Sequence, residues 1–407
     1  MDIRTKFAKL GTRFAPGQEV RLEAAAPDRE RMEPLPGTPV DFSHGDVDAH
    51  PPTPGAFEAF AAAVETGGAQ AYTEYRGSAP IREALAERLT RFAGAPVDAQ
   101  DGLIITPGTQ GALFLAVAAT VTVGDKVAIV QPDYFANRKL VEFFEGEIVP
   151  VQMHYAGATD SAGLDLDQLE EAFRAGARMF LFSNPNNPAG VVYSAAEIAQ
   201  IAALAARYDA TVIVDQLYSR LRYSGVPYTH LRAQDIAPGN VVTIMGPSKT
   251  ESLSGYRLGV AFGGAEIIDR MEKLQAIVSL RAAGYSQAVL QTWFAESEGW
   301  MERRIAAHQA IRDDLVALFR SIEGCSVRLP GAGSYLFPEL PPLTISPVDF
   351  VTALREQAGV TVTPGTEFSP HAARSIRLNF SQDHAAAVAA VTRLATLVER
   401  YRFTGRT

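Results

Sequence analysis

Short, almost wholly apolar runs recur along the chain between longer stretches of mixed character. Residues 102–106 (Gly-Leu-Ile-Ile-Thr), 126–130 (Lys-Val-Ala-Ile-Val), 179–182 (Met-Phe-Leu-Phe), 211–214 (Thr-Val-Ile-Val) and 241–244 (Val-Val-Thr-Ile) are of this kind. Runs so short and so rich in β-branched or aromatic residues predict strands covered on both faces. With helical stretches between them from about residue 56 to 295, they predict an α/β fold, a mainly parallel sheet with helices on both faces. Residues 111–121 form the longest apolar run, too short for a membrane span of about 20 residues, and predict a buried helix. Residues 286–320 contain no proline and predict one long helix, followed by a smaller α/β unit with strands near 335–337 and 375–378. Residues 1–55 carry Pro34-Leu35-Pro36-Gly37 and Pro51-Pro52-Thr53-Pro54-Gly55, which fits an arm packed on the rest or a disordered tail. The expected organisation is therefore an arm and part of a small domain in 1–55, a large domain in 56–295 and a small domain in 296–407.

Composition adds limits. With 407 residues, 47% of them hydrophobic, the chain can bury two or three domain-sized cores. A net charge of −9 and the absence of any Lys/Arg block argue against a nucleic-acid or anionic-membrane partner. Cys325 is the single cysteine and cannot form an internal disulfide, which suits a reducing compartment. No apolar stretch follows the charged opening residues, so the expected location is the cytoplasm.

The candidate chemistry lies at the ends of the predicted strands. Lys249 stands in Pro247-Ser248-Lys249-Thr250, eight residues ahead of Arg257 and 34 residues after Asp215. Lysine amines form Schiff bases with carbonyl compounds, and enzymes that use pyridoxal 5'-phosphate pair the pyridine nitrogen with a carboxylate. Asp215 closes an apolar strand, where a buried charge needs a partner; a helix cap is the plainer reading. Arg257 suits two-pronged phosphate binding, or is simply a surface arginine. Thr106-Pro107-Gly108-Thr109-Gln110 joins a strand to the apolar helix, so free N–H groups there suit a phosphate, although a tight turn alone also explains the glycine. Tyr134 follows the 126–130 strand, where it could stack on a ring, although a packed loop tyrosine is the plainer reading. Asn187 lies in an Asn/Pro/Gly cluster that is a turn first and a donor second, and Tyr218 is within reach of the same ring.

Taken in order and spacing, these residues resemble the fold-type I pyridoxal-phosphate enzymes of the class I/II aminotransferase family over most of the chain. The resemblance implies that Lys249 carries the cofactor, Asp215 holds the pyridine nitrogen, and Asn187 and Tyr218 bind the phenolic oxygen. Gly108, Thr109, Gln110, Ser248 and Arg257 then form the phosphate cup. Tyr72 resembles the tyrosine that reaches the neighbouring subunit's phosphate, implying a homodimer with shared active sites. Arg377, in Ile376-Arg377-Leu378-Asn379-Phe380, matches the arginine that grips the substrate α-carboxylate, with Gly45 and Asn187 beside the substrate; no metal is implied. Gly246 departs from the Ser or Thr usual three residues before the lysine, which implies a slightly altered phosphate grip. Gln110 stands where some aspartate-specific relatives carry lysine, which shifts the expectation toward neutral or aromatic substrates. His44, Tyr155 and Arg281 are further candidates for side-chain selection.

The expected reaction moves the α-amino group of an L-amino acid to a 2-oxo acid, with Lys249 as general acid and base. The same residues would serve a β- or γ-lyase, a cyclising enzyme or an oxidase, since all begin from the same carbanion. A ligand-binding regulator on this fold would add a basic DNA-binding module, for which the Pro-rich arm leaves no room.

Overall fold

The computed structural model describes residues 2–11, 33–45, 47–156 and 160–403. Seven strands form the central sheet, in the spatial order Leu103–Pro107, Leu258–Gly263, Val241–Met245, Thr211–Asp215, Met179–Ser183, Lys126–Gln131 and Glu147–Gln152. Leu258–Gly263 runs antiparallel to both of its neighbours, and the other pairs are parallel. The five runs read from the sequence are all strands. Glu147–Gln152 and Leu258–Gly263 complete the sheet: the first carries Pro150 and sits at an edge, where proline is tolerated, and the second is diluted by glycine.

Alternation along the strands feeds two separate cores. Val127, Ile129, Leu181, Ile213 and Ile244 face one, while Val130, Phe180, Phe182, Val212 and Val214 face the other. Phe180 and Phe182 stack at 4.8 Å, and truncating either to alanine would cost about 3–5 kcal/mol. Both faces being covered explains why these strands carry apolar residues without a break.

The apolar run at 111–121 is helical, within Gly108–Thr120, whose first residue has φ 77° and whose preceding Pro107 supplies no side-chain cap. The expected continuous helix over 286–320 is broken. Gly284–Gln287 passes into a 3-10 turn, Ala288–Thr292, and the chain then turns at Trp293 and Phe294 before Trp300–Ser321 begins. Burial of Trp293 with Val289 and Leu290, a left-handed Phe294 (φ 61°) and Gly299 (φ 73°) end the first helix without any proline. The domain boundary proposed at residue 295 falls in this break.

In the smaller unit, Tyr335–Leu336 pairs with Ile376–Asn379, which pairs with Thr363–Pro364. Val40–Asp41 pairs with Val360–Thr361, and the Leu35 N–H donates to the Gln357 carbonyl at 2.7 Å. Residues 33–45 are thus an ordered part of this unit rather than a tail; most of the preceding arm lies outside the described residues. Phe42, Leu315, Phe319, Leu336, Phe350 and Leu394 form its core. Among the described residues no helix is long and apolar enough to cross a membrane.

Candidate active site

The carboxyl ends of the parallel strands open into a cavity of about 500 Å3 that also takes side chains from the smaller unit. Such strand ends are where open α/β sheets bind ligands. Asp215 ends its strand in register with Ser183 on one side and Ile244 on the other. Its carboxylate accepts the Leu217 N–H at 2.9 Å, and burial pushes the acid up to about 6. Its remaining accessible surface faces the cavity, and no Lys or Arg pairs with it among the described residues. A buried carboxylate in that state favours a cationic N–H partner.

At one end the uncapped start of the 108–120 helix meets Lys249 and Arg257. Arg257, itself left-handed at φ 54°, donates Nη1 to the Ser254 carbonyl at 3.0 Å and is exposed on its outer side. Gly108 leaves it room: a Cβ there would lie 2.6 Å from Arg257 Nη2. A Cβ on Gly259 would sit 2.4 Å from the Thr109 nitrogen, so the antiparallel strand is pressed against the turn. The same closeness explains Gly246, whose added Cβ would meet Thr109 Cγ2 at 2.8 Å and the Leu258 carbonyl at 3.1 Å. Buried Ser248 spends its hydroxyl proton on the Leu258 carbonyl at 3.3 Å.

A buried relay fixes the opposite wall. Asp133 accepts the Ser183 N–H at 2.9 Å, the Tyr134 N–H at 2.6 Å and the Ser183 hydroxyl, and Ser183 Oγ in turn accepts the Asn187 N–H at 3.1 Å. Burial pushes Asp133 up to about 8 against these hydrogen bonds. Tyr134 donates its hydroxyl to Gln110 Oε1 at 3.0 Å, which holds its ring along the cavity.

Arg377 enters from the smaller unit and is 1% exposed. It donates Nη1 to Asn187 Oδ1 and Nη2 to the Ser43 carbonyl, both at 3.1 Å. Its Nε has no hydrogen-bond partner, and no carboxylate pairs with it among the described residues. The guanidinium lies over the rings of Tyr335 at 4.3 Å and Phe368 at 4.7 Å. Tyr335 itself lines the cavity and accepts the Tyr218 hydroxyl at 2.7 Å. Burial raises Tyr335, but the positive charges of Arg377 and Lys249 together with the hydrogen bond from Tyr218 outweigh it and leave the phenol below its ordinary value, whereas burial holds Tyr218 well above.

Most of the residues expected from the sequence therefore line one cavity, with three exceptions. Gly108 lies behind Arg257; Gly45 faces Ser381, whose Cβ would lie 3.3 Å from a Cβ added at Gly45, while its neighbours Ser43 and His44 reach the cavity; Tyr72 is 81% exposed, away from its own chain's cavity, with Arg281 5.3 Å over its ring. His44 lines the cavity, whereas Arg281 and Tyr155 do not; Tyr155 packs at 6.0 Å from Phe337. Tyr335 was read only as part of a strand. The glycine-bearing turn just before it, Gly331-Ala332-Gly333-Ser334, is the one sequence signal near it.

The family model for aminotransferase class I and II matches residues 38–394. The chain belongs to the class I and II aminotransferases. An aspartate aminotransferase of known structure from Rhodobacter sphaeroides is 72% identical, with a TM-score of 0.93 over 99% of this chain and 100% of that one. The aspartate aminotransferase of Thermus thermophilus, solved with maleate, is 26% identical, with a TM-score of 0.80 over 88% and 92% of the two chains. By sequence, an aspartate aminotransferase from Sulfolobus acidocaldarius is 27% identical over 82% of this chain and 84% of its own length. As a member of the family, this aminotransferase depends on pyridoxal 5'-phosphate. The residues present fit that group: an unpaired buried carboxylate suits a pyridinium, and an uncapped helix start beside an arginine suits a phosphate.

Proposed function

We propose that this aminotransferase binds its cofactor through Lys249, with Asp215 on the ring nitrogen, Asn187 and Tyr218 on the phenolic oxygen, and Tyr134 along the ring. Thr109, Gln110, Ser248 and Arg257, with the turn at Gly108, receive the phosphate. Pyridoxal phosphate, when bound, supplies the electron sink that stabilises a carbanion at the amino acid's Cα. Arg377 clamps the α-carboxylate, and the Lys249 amine, set free when the substrate's amino group takes its place on the cofactor, accepts the proton from Cα as general base and can return it as general acid. The observation that carries this reading is Arg377, a buried cation with a free Nε and no acidic partner, facing the same cavity as Lys249 and Asp215. Desolvating a guanidinium costs several kcal/mol unless an anion compensates, and a substrate carboxylate does so in bidentate form.

For the substrate side chain, a neutral or aromatic group is the reading we favour. Beyond Lys249, Arg257 and Arg377, no Lys or Arg lines the cavity among the described residues, and Gln110 is already engaged by Tyr134. A dicarboxylic substrate is the second reading, favoured by the names of the Rhodobacter sphaeroides and Thermus thermophilus proteins. Comparing kcat/KM for aspartate, phenylalanine and alanine, with 2-oxoglutarate or pyruvate as acceptor, separates the two. A tenfold preference for aspartate would overturn the neutral reading, and oxo-acid release without an acceptor would overturn transamination. The same proposal includes a cytoplasmic homodimer in which Tyr72 of one subunit completes the phosphate site of the other.

A further inference from the structure

Tyr335 is held against Tyr218 by backbone, not by chance contact of two side chains. The turn that carries Tyr218 is hydrogen-bonded to the segment that leads into Tyr335: the Tyr223 N–H donates to the Gly331 carbonyl at 3.0 Å, and the Gly333 N–H to the Leu221 carbonyl at 2.8 Å. The Tyr223 hydroxyl adds a bond to the Gly333 carbonyl at 2.6 Å. Gly333, at φ 73°, takes the left-handed conformation that turns this segment onto Tyr218, and a Cβ there would be in ordinary contact with the Tyr218 ring at 3.4 Å. Both rings are nearly fully buried and meet edge to face at 5.3 Å.

A phenol has one proton to donate and two lone pairs to accept with. In the structure Tyr218 gives its proton to Tyr335. If the Tyr218 proton turns to an anionic oxygen in the cavity, the Tyr218 oxygen is left as an acceptor 2.7 Å from the Tyr335 hydroxyl. We propose that Tyr335 is a positioning residue for the cofactor: it donates to the Tyr218 oxygen and so strengthens the hydrogen bond that Tyr218 gives to the cofactor's phenolic oxygen. This rests on the reading that places Tyr218 at that oxygen. Hydrogen bonds in a chain polarise one another, by roughly 10–30% per bond in a low-dielectric site. The positive charges facing Tyr335, Arg377 from its own unit and Lys249 from the large one, favour moving its proton toward the Tyr218 oxygen, while the Asp215 charge opposes this.

The test is a spectrophotometric pH titration of the loaded protein, because pyridoxal phosphate joined to Lys249 absorbs differently when its imine nitrogen is protonated. A weaker bond to the phenolic oxygen makes that oxygen hold the imine proton more firmly, so the chromophore pKa rises. Tyr335→Phe keeps the ring under Arg377 and should raise this pKa by about half a unit. Tyr218→Phe should raise it further, and the double variant should titrate like Tyr218→Phe alone, since the coupling runs through that residue. An unshifted Tyr335→Phe beside a shifted Tyr218→Phe would reduce Tyr335 to packing and overturn the proposal. A full additional shift in the double variant would also overturn it, by showing an effect that bypasses Tyr218. An unshifted Tyr218→Phe would remove Tyr218 from the phenolic oxygen, so the proposal would fall together with the reading beneath it.

Discussion

Substituting serine at Gly246 should harm this protein, although the family resemblance leads one to expect Ser or Thr at that position. The added Cβ would meet Thr109 Cγ2 at 2.8 Å, the Leu258 carbonyl at 3.1 Å and Gly259 Cα at 3.2 Å. The methyl moves only if Thr109 rotates at Cβ, where β-branching restricts it, and the other two atoms are backbone of a sheet strand. Overpacking of this kind costs about 1–3 kcal/mol. With an unfolding entropy of roughly 2.1 cal/mol/K per residue, that corresponds to a Tm lower by about 1–4 °C for a chain of this length. The larger effect is expected on the cofactor, because Thr109 is the first residue after the glycine of the turn proposed to receive the phosphate. Losing one charge-assisted hydrogen bond, about 1.5–3 kcal/mol, weakens binding roughly tenfold to a hundredfold. Equilibrium dialysis of pyridoxal phosphate against Gly246→Ser, with calorimetric melts of cofactor-free protein, measures both. Thr109→Ser deletes the offending methyl, so the Gly246→Ser/Thr109→Ser pair should recover part of the melting loss while the two backbone contacts keep the rest. Wild-type affinity and Tm in Gly246→Ser would refute the reasoning, since the turn would then have space that the geometry denies it.

Asp215→Asn should stabilise the cofactor-free protein as pH rises. The folded acid sits near 6 against about 3.8 unfolded, so the wild type bears no penalty below about 4 and its full penalty, up to about 3 kcal/mol, above about 6. Melts at pH 4.5 and 8 that show no widening gap would contradict this, and the loaded variant should lose activity. Arg377→Lys keeps the charge but loses the fork, and steady-state kinetics should show kcat/KM down about tenfold to a hundredfold with cofactor affinity unchanged; an undiminished kcat/KM would take Arg377 out of substrate binding. Mixing inactive Lys249→Ala with weakened Tyr72→Ala should restore activity, because one site of each hybrid dimer is then intact; a mixture no more active than its parts would rule out the shared site.

Much of the site was legible because its residues sit at strand ends, where an apolar run announces the strand and the next polar residue marks its mouth. Asp215 after 211–214, Asn187 after 179–182 and Tyr134 after 126–130 were read this way. Residues held by packing across the fold were not legible. Tyr335 owes its place to pairing between 331–333 and 221–223, more than a hundred residues apart, and local pattern carries no trace of that. The break at residues 293–299 was missed for a related reason: Trp293 leaves the helix to fill a hole in the core, and nothing in its neighbours forbids a helix. Gly246 looked like a loss of a phosphate contact from the sequence alone, whereas the structure makes it a steric requirement of Thr109 and Gly259.

The reversed strand Leu258–Gly263 has a further consequence. A parallel strand would have carried the chain back to the opposite end of the strands before returning; this one lets residues 246–257 leave and re-enter at the same end, anchored on both sides by neighbouring strands. Lys249 and Arg257 therefore ride on a bridge with two fixed piers. An insertion there has nowhere to bulge except into the cavity or out to solvent, taking one of the two cations with it. Between Asp215 and Lys249 the chain is pinned at Tyr218–Tyr223 and again in the strand Val241–Met245, but the exposed residues Ser224, Gly225 and Pro227 between those anchors leave room to lengthen without moving either. The eight-residue interval is the rigid ruler of this site, and the thirty-four-residue one can give only between its two anchors.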